Sequence, residues 1–228
     1  MENNTPKIIT GDDPITSTYN YIVVEGPIGV GKTTLARKLA EYFEAQLMEE
    51  QVEENPFLPS FYLNMEKYAF STQIFFLMSR YQQLKNANQR NLFQRTVVAD
   101  YMLEKDYIFA ELNLNEDEFK LYNEIYKLLH GQIARPDLVI FLSAETETLV
   151  NRMRRRGRSF EDGIPDKYIE EVNETYHRFF FQYDSGPMLQ INTNEIDIVN
   201  NEEDFKKLIA KISAPIRGRE FFNPLGSA

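Results

Sequence analysis

Tyr21-Ile22-Val23-Val24, then Gly26-Pro27-Ile28-Gly29-Val30-Gly31-Lys32-Thr33, then Leu35, Leu39 and Tyr42 at helical spacing: this passage decides the fold. The first run is short, apolar and rich in β-formers, so it predicts a buried strand. The second fits the phosphate-loop pattern G-x-x-x-x-G-K-[ST] at every fixed position. Its glycines let backbone N–H groups turn inward around phosphate oxygens. Lys32 reaches the β- and γ-phosphoryl groups, and the Thr33 hydroxyl is placed to meet Mg²⁺. The helix predicted from Thr33 to Phe43 aims its positive end at the same anion. A glycine-rich turn arising by chance would lack the strand before it and the helix after it.

Further strands are predicted at Gln46–Glu49, Thr96–Ala99, Leu138–Leu142 and Met188–Ile191. Helices are predicted at Tyr68–Lys85, at Leu114–Leu129 behind an Asn115-x-x-Glu118 capping box, and up to Arg156 with Ser143 as its cap. Two more fit Asp166–Tyr183 and Glu202–Ile212. Strands that alternate with helices imply right-handed crossovers and an α/β fold. The expectation is a five-stranded parallel sheet flanked by helices, with an arginine-rich lid. Residues 1–18 read as a flexible arm, 19–214 as one domain and 215–228 as a C-terminal tail. Phe221-Phe222-Asn223-Pro224 in that tail either docks on the body or a partner, or stays loose.

The remaining composition narrows the function. A net charge of −10 repels duplex nucleic acid, so no nucleic-acid partner is expected. No apolar run approaches a membrane span, and Met1–Asp13 lacks the basic start and apolar stretch of a signal peptide. No membrane partner is expected, and the reading is cytoplasmic. The absence of cysteine excludes disulfides and thiolate metal sites. His130 and His177 are too few for a histidine cluster.

There is no N/T-K-x-D guanine motif and no D-x-x-G loop, which argues against a GTPase switch. A nucleotide kinase and a non-catalytic nucleotide-binding module remain. Glu50 follows the second strand, and ligands of open α/β sheets sit beyond the carboxyl ends of strands. A carboxylate there can take a proton from an attacking hydroxyl, which favours a neutral nucleoside over an ionised monophosphate; an exposed acidic loop is the plain alternative. Gln73 and Arg80 lie two turns apart on one helix face among apolar neighbours, and together offer a donor–acceptor pair and a donor fork to a base edge. They also suit the polar face of an amphipathic helix. Asp100 ends the third strand, placed to hold Arg80 and accept from a base amino group. Arg152, Arg154, Arg155, Arg156 and Arg158 crowd a helix end before the loop Ser159–Pro165. They read as a lid over a transferring phosphoryl group, or as a solvated basic helix end.

Taken together, Val23-Val24-Glu25-Gly26-Pro27-Ile28-Gly29, Glu53-Glu54-Asn55-Pro56-Phe57-Leu58, Val98-Ala99-Asp100-Tyr101 and Arg156-Gly157-Arg158 with Glu161 and Gly163-Ile164-Pro165 resemble the deoxynucleoside kinases, with the bacterial deoxyadenosine/deoxyguanosine kinase branch most similar. The resemblance runs from about Tyr21 to Ile212. It implies ATP as donor, Mg²⁺, a deoxyribonucleoside phosphorylated on its 5′-hydroxyl, and a homodimer formed through a helix bundle. It implies Glu50 as general base, Tyr62 on the sugar 3′-hydroxyl, and Gln73, Arg80 and Asp100 as base readers. Arg95 is implied near the 5′-oxygen, Arg152, Arg156 and Arg158 as lid arginines, and Glu161 on the sugar. On the donor side it implies Gly26, Gly29, Gly31, Lys32, Thr33, Thr34 and Arg156 around the phosphates and Asp204-Phe205 on the adenine. Gln94 stands where many members carry a Mg²⁺-binding acid, leaving the ion to Thr33, phosphates and waters, or to another acid such as Glu50. A thymidylate-kinase-like enzyme is the runner-up, opposed by Glu50 and by the lack of an arginine after the second strand.

Overall fold

The computed structural model describes residues 19–90, 96–161, 163–194, 196–198 and 201–223, excepting the side chains of 88–90 and 159. In chain order these residues form β1 (Tyr21–Glu25), α1 (Lys32–Tyr42), β2 (Gln46–Met48), α2 (Leu58–Leu63), α3 (Met65–Arg90), β3 (Val97–Ala99) and α4 (Glu104–Asn113). Then come α5 (Glu116–His130), β4 (Leu138–Ser143), α6 (Thr146–Arg156), α7 (Asp166–Gln182), β5 (Met188–Asn192), α8 (Glu202–Ile212) and β6 (Arg219–Phe222).

All strand pairs are parallel and the sheet order is β2-β3-β1-β4-β5-β6. β3 and β4 are buried at every residue, as strands covered by helices on both faces must be. β1 sits between β3 and β4, so successive crossovers leave it toward opposite edges. That reversal opens a crevice at its carboxyl end, where the phosphate loop begins.

The sheet has six strands, not the expected five. The sixth comes from the segment read as a tail: Met188–Ile191 pair with Arg219–Phe222. Arg219 fastens it by donating to the carbonyls of Phe180 at 2.8 Å and Phe181 at 2.7 Å, at the end of α7. Such a cation satisfies carbonyls that a helix end leaves open. Two charged residues followed by two aromatics show no period-2 alternation, so the pattern does not register as a strand.

The capping box at Asn115 and Glu118 is present. Ser143 does not cap α6, however. Its pairing with Asn192 keeps it extended as the last residue of β4, and its hydroxyl donates to Ile191 O. α4 was not foreseen, because Lys105, Asp106, Ile108 and Ala110 are all buried and its polar and apolar residues share one environment. It packs against α3, α5 and α7.

Candidate active site

The phosphate loop is pressed onto its neighbours so closely that two glycines are obligatory. A Cβ on Gly26, at φ +152°, would fall 2.3 Å from Leu142 O, and one on Gly29, at φ +84°, 2.6 Å from Leu149 O. Lys32 opens α1 and curls back to donate to Pro27 O at 3.0 Å. Burial, with Lys105 nearby, pulls its ammonium down to about 8 against the opposing influence of Glu25 and Glu50. The Thr33 hydroxyl donates to Asp100 Oδ2, while Asp100 Oδ1 accepts from Glu50 N at 2.8 Å. Asp100 thus joins the start of α1 to the segment leaving β2.

Beside the loop lies a cleft of about 920 Å³ including its open mouth. Its floor is a chain of alternating charge. Glu50 Oε2 accepts from Lys105 Nζ, and Oε1 accepts from Arg80 Nε at 3.0 Å and from Arg80 Nη2. Arg80 Nη1 in turn lies 2.5 Å from Asp106 Oδ1. The Arg80 guanidinium also rests 4.7 Å from the Phe76 ring centre. These four side chains are 10% exposed or less. Burial alone would raise the Glu50 carboxyl, but Arg80 and Lys105 outweigh it and hold it well below the usual carboxylate range. Burial pushes Asp106 up to about 6, with Arg80 offsetting part of the effect.

Gln73 lines the same wall, and its buried Oε1 has no hydrogen-bond partner among the described residues. Tyr62 of α2 faces the cleft from the other side. Above it, buried Glu161 receives Arg156 at 2.5 Å and lies 3.9 Å from Arg158, so these two arginines are folded over the mouth. On the far side of the loop, Gly29, Gly31, Thr34, Arg152 and Arg156 border a second, wider groove, closed by residues 193–194 and 196–198.

A family model for deoxynucleoside kinase matches residues 22–217. The chain belongs to the deoxynucleoside kinase family. It is 35% identical to a deoxyguanosine kinase of Bacillus subtilis over 201 residues, covering 86% of this chain and 97% of that one. It is 30% identical to a deoxyadenosine kinase of Lactobacillus acidophilus over 210 residues, covering 86% and 96%. A deoxyadenosine kinase from M. mycoides solved with bound dATP superimposes with a TM-score of 0.75 at 27% identity, covering 85% of this chain and all of that one. The protein is therefore a kinase of deoxynucleosides that uses a nucleotide phosphate donor.

Within this kinase, the cleft brings together Lys32, Thr33, Glu50, Tyr62, Gln73 and Arg80, along with Asp100, Arg156, Arg158 and Glu161. Three expectations are corrected by placement. The acid that holds Arg80 is Asp106, not Asp100: Asp100 follows β3 directly and turns to the phosphate loop, whereas Asp106 is carried by α4 toward α3. Arg152 is not a free lid residue. Its guanidinium donates to Thr193 Oγ1 at 2.9 Å and Thr193 O at 2.7 Å, with Val30 O at 3.4 Å, tying the phosphate loop to the segment after β5. Asp204 and Phe205 do not line the groove. The amphipathic α8 buries Phe205 against Tyr42 and Lys38, and Asp204 lies 3.5 Å from Lys207. Gln94 and Arg95 lie outside the described residues.

Two functional candidates escaped the sequence reading, Lys105 and Asp106. Their signal was present: three charged residues, Glu104-Lys105-Asp106, between Tyr101-Met102-Leu103 and Tyr107-Ile108-Phe109-Ala110, where charge is expensive unless paired.

Proposed function

We propose that this kinase transfers the terminal phosphoryl group of ATP to the 5′-hydroxyl of a purine deoxyribonucleoside, deoxyadenosine or deoxyguanosine, with deoxycytidine as a poorer substrate. The observation that carries this reading is Glu50, an ionised carboxylate buried between the phosphate loop and the wall that Gln73 and Arg80 form. A neutral hydroxyl gains from such a group, whereas a nucleoside monophosphate would be repelled by it.

In this reading Gln73 and Arg80 meet the base edge, and Asp106 stands behind Arg80 and holds it in place, the part first expected of Asp100. Gln73 Oε1, buried and without a partner among the described residues, can accept from a donor such as a base amino group. Tyr62 and Glu161 meet the sugar. Glu50 orients the 5′-oxygen and receives its proton. In a loose phosphoryl-transfer transition state, orientation and charge stabilisation matter more than a strong base, so a carboxylate held ionised by two cations suffices. Lys32, Arg156 and Arg158 stabilise the phosphoryl oxygens, and the groove lined by Thr34 and Arg152 receives the rest of the donor. The Thr33 hydroxyl and the Asp100 carboxylate, side by side, are the hard oxygen donors that Mg²⁺ requires. Bound there, the ion would offset charge on the donor's phosphates.

Leu121 and Leu128 stand exposed seven residues apart on one face of α5, which supports a homodimer joined through helices. Among the described residues no helix is long and apolar enough to cross a membrane, which is compatible with work in the cytoplasm.

The test is phosphate transfer from labelled ATP to the four deoxynucleosides and, in parallel, to their 5′-monophosphates. We expect turnover of deoxyadenosine or deoxyguanosine to exceed that of every monophosphate. Preferential use of thymidine monophosphate would replace this reading with the thymidylate-kinase-like one.

A further inference from the structure

Lys105 occupies a position that is unfavourable on three counts. Its side chain is 8% exposed, so its charge has been taken out of water. It is the second residue of α4, at the positive end of that helix dipole, where a cation is disfavoured. It also stands close enough to Lys32 to depress that ammonium. A methionine of similar length would fill the space without any of these costs. Among the described residues, the one ion-pair contact of its ammonium is Glu50 Oε2. Its other negative neighbours are Asp106 and the buried carboxylate of Glu25, which accepts from Gly26 N at 2.9 Å and Met102 N at 3.1 Å.

Arg80 cannot do the same work, because it divides its donors between Glu50 Oε1 and Asp106. A carboxylate held through one oxygen can rotate; one held through separate partners on both oxygens cannot. We infer that Lys105 is a positioning residue of phosphoryl transfer, which clamps Glu50 through Oε2 so that the carboxylate cannot turn away from the attacking 5′-hydroxyl. This rests on the reading of Glu50 given above. It makes Lys105 indispensable for turnover and nearly silent in nucleoside binding. It also explains why a cation is buried at a helix start that would pack better without one.

The experiment compares wild type, Lys105→Met, Lys105→Arg and Lys105→Ala, measuring kcat, nucleoside KM and thermal melting, with ethylammonium added to the alanine variant. For Lys105→Met we expect kcat to fall on the order of 10²-fold, as for loss of the base itself, while KM changes less than about threefold. Melting should fall, since Glu50 loses one of its two buried cations and keeps only Arg80, so kcat is compared at a temperature where the variant is folded. Lys105→Arg, which keeps the charge but moves it, should lower kcat at unchanged KM. Ethylammonium should restore part of the kcat of Lys105→Ala in a saturable manner without shifting its melting temperature. A folded Lys105→Met with kcat within a few-fold of wild type would overturn the inference. So would failure of ethylammonium to rescue a folded Lys105→Ala. A wild type inactive on every deoxynucleoside would instead remove the functional reading beneath it, a distinguishable result.

Discussion

On one side of the phosphate loop, Lys105, Glu50, Arg80 and Asp106 form a buried row of alternating charge, each side chain fixed by the next. On the other side, the groove is edged by glycine backbone, by Arg155 and Arg156 exposed to water, and by an Arg152 that braces main chain. The two regions answer different recognition problems. A neutral nucleoside offers only hydrogen-bonding edges, so its site must hold side chains in place beforehand and bear the desolvation of their charges. A polyphosphate offers dense negative charge, so backbone N–H groups and arginines still in solvent are enough. Substitutions on the cleft side should therefore act strongly and selectively on the nucleoside. Those on the groove side should act weakly and on the donor.

The largest effect falls where the regions meet. Lys32→Met should lower kcat on the order of 10³-fold through lost charge stabilisation of the transferring group. It should not lower stability. The folded Lys32 ammonium sits near 8 against an ordinary 10.5, so its charge opposes folding, fully below pH 8 and not at all above about 10.5. The melting difference between Lys32→Met and wild type should thus be zero or positive at pH 7 and shrink toward pH 10.5. A clearly less stable variant at pH 7 would show that Lys32 is a structural cation, and the two sides would no longer be joined by a strained one.

Next comes a pair of acids. Asp106→Asn should change nucleoside kcat/KM by about tenfold or more and alter the ranking of bases, since it loosens Arg80, the base-facing side chain it holds. The KM for ATP should stay within about twofold. Asp100→Asn should do the reverse, raising the Mg²⁺ concentration needed for half-maximal turnover with the base ranking preserved. Identical responses of the two variants would erase the distinction between the carboxylate that holds the base-facing arginine and the one on the metal side.

The smallest effect belongs to Arg155→Ala. Its side chain is in solvent, so ATP KM should rise less than about threefold, with nucleoside KM and melting unchanged, as is usual for surface positions. A tenfold rise in nucleoside KM would mean that the groove side participates in nucleoside recognition and that the contrast is wrong.

These predictions draw on features that the sequence disclosed to different degrees. The phosphate loop, its strand and its helix were legible because the loop obeys fixed spacing and β1 is a continuous apolar run. Asn115 announced α5 through a local capping box, and α8 was readable end to end because one face is apolar and the other charged. α4 was not legible. Buried on several sides, it has no periodic contrast, and its two buried charges, Lys105 and Asp106, are neutralised by Glu50 and Arg80, which lie distant in sequence. The mistaken choice of Asp100 over Asp106 has the same origin. Both are acids just past β3, and only the turn of the chain into α4 decides which one meets α3. The sixth strand was hidden because β6 gains its order from β5 and from Arg219 at the end of α7, not from its own pattern.

The account depends most on Glu50 being the group that handles the 5′-hydroxyl. The direct measurement is kcat for Glu50→Gln on its preferred deoxynucleoside, together with equilibrium affinities for that nucleoside and for ATP. Glutamine keeps the size and one acceptor but cannot take the proton. The predicted result is a fall in kcat on the order of 10²-fold with both affinities within a few-fold of wild type. A kcat within a few-fold of wild type would contradict it, and would move the search for the base to Glu49 and Glu161, the other carboxylates of the glutamates lining the cleft.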